Sequence, residues 1–354
     1  MQKKLIALAV AGLVSAPAFA QSNVTIYGIV DIGFTHYSGS EWLDNRSGID
    51  SGLQSGSRIG FRGVEDLGNG LKASFVLEES IGVDLGTGGN YTRQAFLALS
   101  GGFGTVAAGR QYTPQFLLLG KVDPFETGTV GDINYGRGVY LNGAFAAPDT
   151  IRLNNLLAYI SPSFGGFNVI AGYTRNGLGD EELTVDGADS GDAKIWAINP
   201  NYSNGPLFVG LNYHQVKIDA GDYKDKVWDL GAAYDFGPVR LSAVYGQLKT
   251  DSAVTDFKTK QWLIGASVPV GTAGKVLASY ARNTIDADGA PEAKARKWAL
   301  GYTHDLSKRT NLYAAYAKIN TNDEADGLFS VYKGSLTTGV DYAKGLNVGI
   351  RHKF

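Results

Sequence analysis

The sequence predicts an all-β fold, a 16-stranded antiparallel β-barrel that crosses a membrane. Three observations predict it: apolar residues that alternate with a period of two, a composition that is Gly-rich, aromatic and polar at once, and short turns that alternate with longer loops. Alternation alone would suit a soluble β-sandwich equally well, so the loop lengths decide between the two folds.

The alternation is clearest near the amino terminus and in the segment Leu71–Ser80. In Val24–Phe34 the even-numbered residues are apolar or Gly, whereas the other face carries polar residues such as Thr25 and Asp31. Each such strand has one apolar face and one more polar face, because successive side chains point to opposite sides.

The composition supports a barrel in lipid. The chain has 48 Gly in 354 residues, roughly twice the usual share of about 7%, together with 19 Tyr and 16 Phe. It has no Cys, which excludes disulfides and Cys-based metal or redox sites. The 32 basic residues are balanced by 34 acidic residues, so a nucleic-acid partner has no electrostatic support.

The first twenty residues have the pattern of a signal peptide. Lys3 and Lys4 precede the apolar run Leu5–Val14, and Ala18–Ala20 fits a small-residue cleavage site. The run is too short to span a bilayer as a helix, which takes about 20 residues. We expect residues 1–20 to be removed before Gln21 and residues 21–354 to form the barrel.

Loop lengths alternate along the chain. Short turns are predicted at Asp66–Gly70, Gly101–Gly102, Pro162–Gly165, Ser203–Gly205, Phe236–Pro238, Val270–Thr272 and Asp305–Lys308. Longer connections are predicted at His36–Gly56, Ile81–Asn90, Gln111–Ile151, Asn176–Gly191, Asp219–Asp225, Thr250–Asp256, Thr284–Glu292 and Thr321–Lys344. These turns and loops imply sixteen strands, an even number as in bacterial outer-membrane barrels. A barrel of that size encloses an aqueous channel.

The last strand, Leu346–Phe354, alternates again and ends in an aromatic residue. Phe354 resembles the terminal signal that barrel-assembly machinery reads. The alternative is an ordinary edge strand that happens to end in Phe.

Four stretches resemble the general porins of β-proteobacteria: Gln21–Phe34, Ser57–Glu78, Arg93–Gln111 and Asn347–Phe354. The resemblance implies a homotrimer of 16-stranded barrels, each with a third extracellular loop folded inward. It also implies location in the cell outer membrane, with outer-membrane lipid and lipopolysaccharide as neighbours, and assembly by periplasmic chaperones and the barrel-assembly machinery.

The expected function is a water-filled channel for passive diffusion of small hydrophilic solutes and ions, with a mild anion preference. A channel specific for sugars, carboxylates or phosphate remains an alternative, because the many tyrosines could form an aromatic track. An enzyme or adhesin built on a barrel is a third hypothesis, which the absence of a plausible catalytic group and of a very large loop opposes. We expect no catalytic residue, no metal and no cofactor.

Alternation assigns several charged side chains to the lumen. Ile59 and Phe61 suit the lipid face, so Arg58 and Arg62 must point inward, since a charge facing lipid near the midplane costs about 2–4 kcal/mol. By the same reasoning Glu78 and Arg152 face inward, the latter because Leu157 and Tyr159 fit lipid.

The family resemblance implies an arginine cluster at the pore constriction. Arg58, Arg93 and Arg152 are the candidates, with Glu78 as the counter-charge that holds them. Such a cluster would attract anions within a screening length of about 8 Å. The alternative is that these arginines form salt bridges that only brace the wall, and both roles can hold together.

The connection Gln111–Ile151 is the candidate constriction loop. About 40 residues without evident secondary structure are unusual in a compact domain and are normally functional or disordered. Its acids Asp123, Glu126 and Asp132, set against the wall arginines, would create a field across the pore. The alternative is a solvated outer loop that never enters the lumen.

Overall fold

The computed structural model describes residues 23–89, 93–133, 151–177, 193–218, 223–253, 256–326, 328–332 and 341–354. The predicted signal peptide, residues 1–20, lies outside the described residues. Among the helices of the described residues, none is both long and apolar enough to cross a membrane.

The described chain is almost entirely β-strand. The strands are β1 (Asn23–Ser38), β2 (Arg46–Ser51), β3 (Arg58–Gly68), β4 (Leu71–Gly82), β5 (Thr87–Gly88), β6 (Ala95–Gly101), β7 (Gly104–Tyr112), β8 (Arg152–Ile160), β9 (Phe167–Thr174), β10 (Ala193–Asn204), β11 (Leu207–Ile218), β12 (Tyr223–Asp235), β13 (Arg240–Asp251), β14 (Phe257–Val270), β15 (Gly274–Ala287), β16 (Ala293–Asp305), β17 (Thr310–Thr321) and β18 (Lys344–Lys353). One α-helix, α1 (Pro114–Val122), follows β7, and a 3-10 turn covers Asp323–Ala325.

Sixteen of these strands form a closed antiparallel barrel, as predicted. β18 pairs with β1, which closes the ring, and Asp31 lies opposite Arg351 in that seam. The other two strands are short and belong to the first and second loops: β2 pairs with β1 beyond the end of β3, and β5 pairs with the tip of β4. The predicted loop His36–Gly56 is therefore partly strand, because β1 and β2 continue the hairpin above the wall.

All seven predicted short turns join neighbouring wall strands at one end of the barrel. The first of them places Asn69 and Gly70 at positive φ angles of 53° and 79°, the left-handed region that Gly and Asn adopt most readily. We call this end the turn side. The opposite end, which carries the longer connections, is the loop side.

The predicted alternation between faces is confirmed. Val24 and Ile26 are 60% and 61% exposed on the outer surface, whereas Ile29 and Asp31 are buried inside. Aromatic residues form two girdles on the outer surface, as in membrane barrels. The loop-side girdle contains the ring pairs Trp196–Tyr213, Trp228–Tyr245, Trp262–Tyr280 and Trp298–Tyr316. The turn-side girdle contains Phe103, Phe164, Phe236, Tyr302 and Phe354.

The third loop contains a helix, contrary to the expectation of no secondary structure. The Thr113 hydroxyl accepts a hydrogen bond from the Phe116 amide at 3.1 Å, and Pro114 occupies the first turn. Both features favour helix initiation. The helix packs inside the barrel against β10, β11, β12 and β13.

Small residues on the inner wall make room for this loop. A Cβ atom on Gly231 would lie 3.1 Å from Val122, on Gly301 2.6 Å from Phe125, and on Gly345 2.8 Å from Val130. Residues 114–133 therefore run along the inner faces of β10 to β18. Residues 134–150 lie outside the described residues.

Candidate functional site

Residues 114–133 leave the inner wall from β3 to β8 uncovered. This part of the wall carries the four arginines that were predicted to face the lumen or to lie at the constriction. Arg58 begins β3 and lies opposite the inward-facing Ile29, so its side chain also points inward. Arg93 lies two residues before the start of β6, and Arg152 begins β8. The structure thus brings together residues that are almost a hundred positions apart in the sequence.

Glu78 joins two of these arginines. Its carboxylate oxygens lie 3.5 Å from Nε of Arg58 and 3.6 Å from Nε of Arg93. It also accepts hydrogen bonds from the Tyr27 hydroxyl at 3.0 Å and from the Gln94 side-chain amide at 3.2 Å. Since the two arginine contacts are longer than ordinary hydrogen bonds, they are ion pairs, and the Tyr27 and Gln94 bonds hold the carboxylate in place.

Tyr112 continues the chain of contacts. Its hydroxyl accepts hydrogen bonds from Arg93 at 2.9 Å and from Arg152 at 3.4 Å, and the Arg152 guanidinium lies 4.8 Å from the ring centroid. The same ring stacks on Phe116 of α1 at 4.8 Å between centroids. Tyr112 therefore connects the wall arginines to the third loop, a role that sequence reasoning missed.

Arg62 lies at the turn-side end of the same set. It is exposed, and its guanidinium lies 5.0 Å from the centroid of the Tyr27 ring. We call the continuous set the arginine strip; it consists of Arg58, Arg62, Arg93, Arg152, Glu78, Tyr27 and Tyr112. The strip contains four cations and one carboxylate, so the inner wall of β3 to β8 has a surplus of positive charge.

Asp123 is buried, so it does not face the lumen as expected. Its carboxylate accepts hydrogen bonds from the backbone amides of Phe125, Thr127 and Ile133 at 2.9–3.0 Å. Burial raises the pKa of Asp123 to about 6, which these bonds and the Lys297 charge partly oppose. Asp123 organises the turn that follows α1, because its carboxylate replaces backbone hydrogen bonds that the irregular chain cannot make.

Asp132 is also buried behind the loop rather than in the lumen. Lys297 on β16 donates a hydrogen bond to its backbone carbonyl at 2.6 Å, and the same ammonium lies 3.9 Å from the carboxylate. A buried cation requires such partners, because an unpaired charge away from water is very costly. The field expected from the loop acids therefore cannot come from Asp123 or Asp132 facing the pore.

Glu126 is the exposed member of the three loop acids. It borders a cavity of about 440 Å³ near the turn side, which is also lined by Lys275, Arg309, Arg351 and Lys353. Arg351 donates hydrogen bonds to the side chains of Asn311 and Ser55, at 2.9 and 2.8 Å. Arg351 and Lys353 alternate with Ile350 and His352 along the last strand, and this alternation is the signal that could have identified them as lumen residues.

Phe354 closes the barrel seam. Its backbone exchanges two hydrogen bonds with Gly28, at 3.1 and 3.2 Å, and its ring covers the space where a Gly28 side chain would stand. The ring is exposed on the outer surface at the turn side. Its role as an assembly signal remains a prediction.

The sequence and the fold match known proteins. A family model described as "Gram-negative porin" matches residues 7–324. The chain is 40% identical to outer membrane porin protein 32 of Delftia acidovorans over 362 residues, which covers the full length of both chains. It is 31% identical over 410 residues to an outer membrane porin protein of Bordetella pertussis, again over the full length of both chains. The structure of an anion-selective porin from Comamonas acidovorans superimposes with a TM-score of 0.80 at 36% identity, covering 94% of this chain and all of that one.

Proposed function

Because this chain belongs to the Gram-negative porin family, we propose that its barrel is a water-filled channel that lets small hydrophilic solutes and ions diffuse across the outer membrane with a mild preference for anions. The chain is an outer-membrane protein. Such a channel carries out no bond chemistry, so the working parts are the width of the pore and the charges at its narrowest ring.

The arginine strip is the observation that carries the anion preference. It lies on the wall from β3 to β8, and the described third loop lines the wall from β10 to β18. Solutes that pass between them meet guanidinium groups that stay charged at any physiological pH. We assign Arg58, Arg62, Arg93 and Arg152, with Glu78, to the constriction.

The positive lining extends toward the turn side. Lys275, Arg309, Arg351 and Lys353 border the 440 Å³ cavity, in which Glu126 supplies an opposing carboxylate. The similar porin from Comamonas acidovorans is described as anion-selective, which supports the same direction of selectivity here.

The alternative, a substrate-specific channel, finds less support. An aromatic track for sugars would need a row of tyrosines along the lumen, but Tyr213, Tyr245, Tyr280 and Tyr316 lie on the outer surface in the loop-side girdle. The inward-facing Tyr27 and Tyr112 instead hold the side chains of the arginine strip. An enzyme is a still weaker candidate, because the relatives are porins and diffusion through a pore needs no catalytic residue, metal or cofactor.

We further propose a homotrimer, as the family resemblance implies. The loop-side girdle of Trp and Tyr runs along β10 to β17, and the outer faces of β1 to β8 present mainly aliphatic side chains, among them Val24, Ile26, Leu97 and Leu157. Aliphatic surface without that girdle suits contact with neighbouring barrels. Periplasmic chaperones and barrel-assembly machinery that reads Phe354 are the partners proposed for export and insertion.

Planar bilayer recording tests the proposed function. Purified protein should produce stable, ohmic conductance steps with chloride salts, and proteoliposomes should swell at rates that fall smoothly with the size of added sugars. Saturable transport of one sugar or carboxylate, together with negligible ion conductance, would instead identify a substrate-specific channel.

A further inference from the structure

An insertion of four residues separates the end of β2 from the start of β3. Ser51 lies opposite Ile32 on β1, and Arg58 lies opposite Ile29. Between these two pairs β1 has two residues, whereas the neighbouring chain has six, residues 52–57. An ordinary β-bulge adds one residue to a strand, so this bulge is unusually long. We call residues 52–57 the inner bulge.

Asp31 holds the inner bulge on the lumen side of the wall. Its carboxylate accepts hydrogen bonds from the backbone amides of Gln54, at 2.8 Å, and of Ser55. Its backbone carbonyl oxygen accepts hydrogen bonds from the Gly52 amide at 2.7 Å and from the Ser57 hydroxyl at 2.9 Å. Since the Asp31 side chain points inward and is fully buried, the bulge that it binds lies inside the barrel.

The inner bulge also contacts the third loop. The Leu53 carbonyl oxygen accepts a hydrogen bond from the Thr129 amide at 2.6 Å. Gly128 passes so close that a Cβ atom at this position would lie 2.0 Å from the Gln54 carbonyl oxygen. The third loop lines β10 to β18, and the arginine strip lines β3 to β8. The inner bulge therefore fills the interval between these two linings at β1.

Cations on both sides of the inner bulge bind to it. Arg351 donates a hydrogen bond to the Ser55 hydroxyl at 2.8 Å, and Arg58 donates one to the Gly56 carbonyl oxygen at 3.3 Å. Gly56 also lies against Arg93, because a Cβ atom on Gly56 would be 2.5 Å from Nη1 of that arginine. Ser55 and Gly56 are only partly buried, so they line the path between the arginine strip and the cations near the turn side.

We propose that the inner bulge is a second constriction element of the pore and that Asp31 is the residue that positions it. The bulge narrows the passage beside Arg58 and Arg93, so passing anions stay within the screening length of about 8 Å. Pore width and lining charge together determine which solutes pass, and the bulge contributes to both. The inference deepens the proposed channel function and rests on it.

Cysteine labelling in planar bilayers tests the position of the inner bulge, because the chain has no Cys of its own. A bulky, neutral maleimide attached to the variant Ser55→Cys should lower the single-channel conductance by at least about one third. The matched control Ser47→Cys is in the same hairpin, at an exposed position of β2 opposite His36, and its conductance should not change. Mass spectrometry follows the labelling. Failure of Ser55→Cys to react in the folded protein, or unchanged conductance after reaction, would overturn the proposal.

A deletion tests the width of the pore. Removing residues 53–56 leaves two residues between Ser51 and Arg58, which matches β1 and keeps Arg58 on the inner face. The single-channel conductance should rise by at least about one half, and the reversal potential under a salt gradient should move toward zero. The matched control removes residues 41–44, four residues from the exposed tip of the same loop, and should conduct as the wild-type protein does.

Two substitutions test the role of Asp31. Asp31→Ala should raise the conductance, as the deletion does, whereas Asp31→Asn should retain the wild-type value because an amide oxygen still accepts the two backbone hydrogen bonds. Wild-type conductance in both the deletion variant and Asp31→Ala would overturn the proposal. A wild-type protein that forms no channel at all would instead refute the proposed function.

Discussion

The carboxylate of Glu78 lies 3.6 Å from Nε of Arg93, and this ion pair is the centre of the arginine strip. Arg93 is mostly buried, and one of its terminal guanidinium nitrogens donates a hydrogen bond to the Tyr112 hydroxyl. The same hydroxyl also accepts a hydrogen bond from Arg152. Since Glu78 pairs with Arg58 on its other side, a single carboxylate fixes the position of two guanidinium groups. Bracing of the wall and display of positive charge to the lumen are therefore two effects of one arrangement.

Replacing Glu78 should make the channel more selective for anions. The variant Glu78→Gln removes one negative charge from within a screening length of two arginines, and the amide can still accept the Tyr27 hydrogen bond. We expect the reversal potential under a salt gradient to move further toward the chloride potential. The matched control Glu79→Gln, on the neighbouring outward-facing position, should leave it unchanged. An unchanged reversal potential in Glu78→Gln would show that this carboxylate does not contribute to the field in the pore.

Breaking the buried Lys297–Asp132 contact should loosen the third loop. The variant Asp132→Leu leaves the Lys297 ammonium without its carboxylate, a change that costs about 3–5 kcal/mol when one partner of a buried pair is removed. We expect greater current noise in single-channel recordings and a lower midpoint of denaturant-induced unfolding. The double variant Asp132→Leu/Lys297→Met should recover most of the midpoint, since it removes both charges. If the double variant is no more stable than Asp132→Leu, the buried pair is not what holds the loop.

A methyl group at Gly301 should push the loop away from the wall. The added Cβ atom would lie 2.6 Å from the Phe125 ring and 3.2 Å from the Ala314 carbonyl oxygen, so Gly301→Ala should cost about 1–3 kcal/mol. The loop should then become sensitive to added protease. Gly102→Ala is the control, because no atom lies within 4 Å of its Cβ position. Equal protease resistance in both variants would contradict close packing of the loop against β16.

The buried carboxyl of Asp123 should make stability depend on pH. Burial raises its pKa to about 6 from an ordinary value of 3.8, so between these two pH values the group takes up a proton on folding. Its contribution to stability is complete below about pH 4 and is lost as the pH rises through about 6, a change of about 3 kcal/mol. Unfolding midpoints measured from pH 4 to pH 8 should show this decline in the wild-type protein. The decline should be absent in Asp123→Asn and retained in Glu126→Gln; a decline retained in Asp123→Asn would assign it to another group.

Strict alternation explains why much of the fold and part of the site could be predicted. Hydrocarbon on one side and water on the other force each wall residue to one face, so the inward positions of Arg58, Arg62, Glu78 and Arg152 followed from their apolar neighbours. The same rule would have placed Lys297 inside, between Ala295 and Ala299, had it been applied to β16.

Loops do not obey that rule. Asp123 and Asp132 are acids in a loop, and nothing in their spacing indicates whether they face the pore or the wall. The position of Tyr112 was also hidden, because the irregular register near Gly109 and Gln111 interrupts the alternation of β7. The helix in the third loop could have been predicted from the sequence, since Thr113 followed by Pro114 is a pattern typical of a helix start.

The reversal potential of the wild-type channel under a potassium chloride gradient tests the central proposal most directly. With the arginine strip lining the lumen, the potential should lie on the chloride side of zero, and the variant Arg58→Gln/Arg93→Gln/Arg152→Gln should move it toward the potassium side. The outward-facing control Arg296→Gln should leave it in place. A wild-type channel that selects potassium, or a triple variant with the wild-type potential, would contradict the assignment of the strip to the constriction.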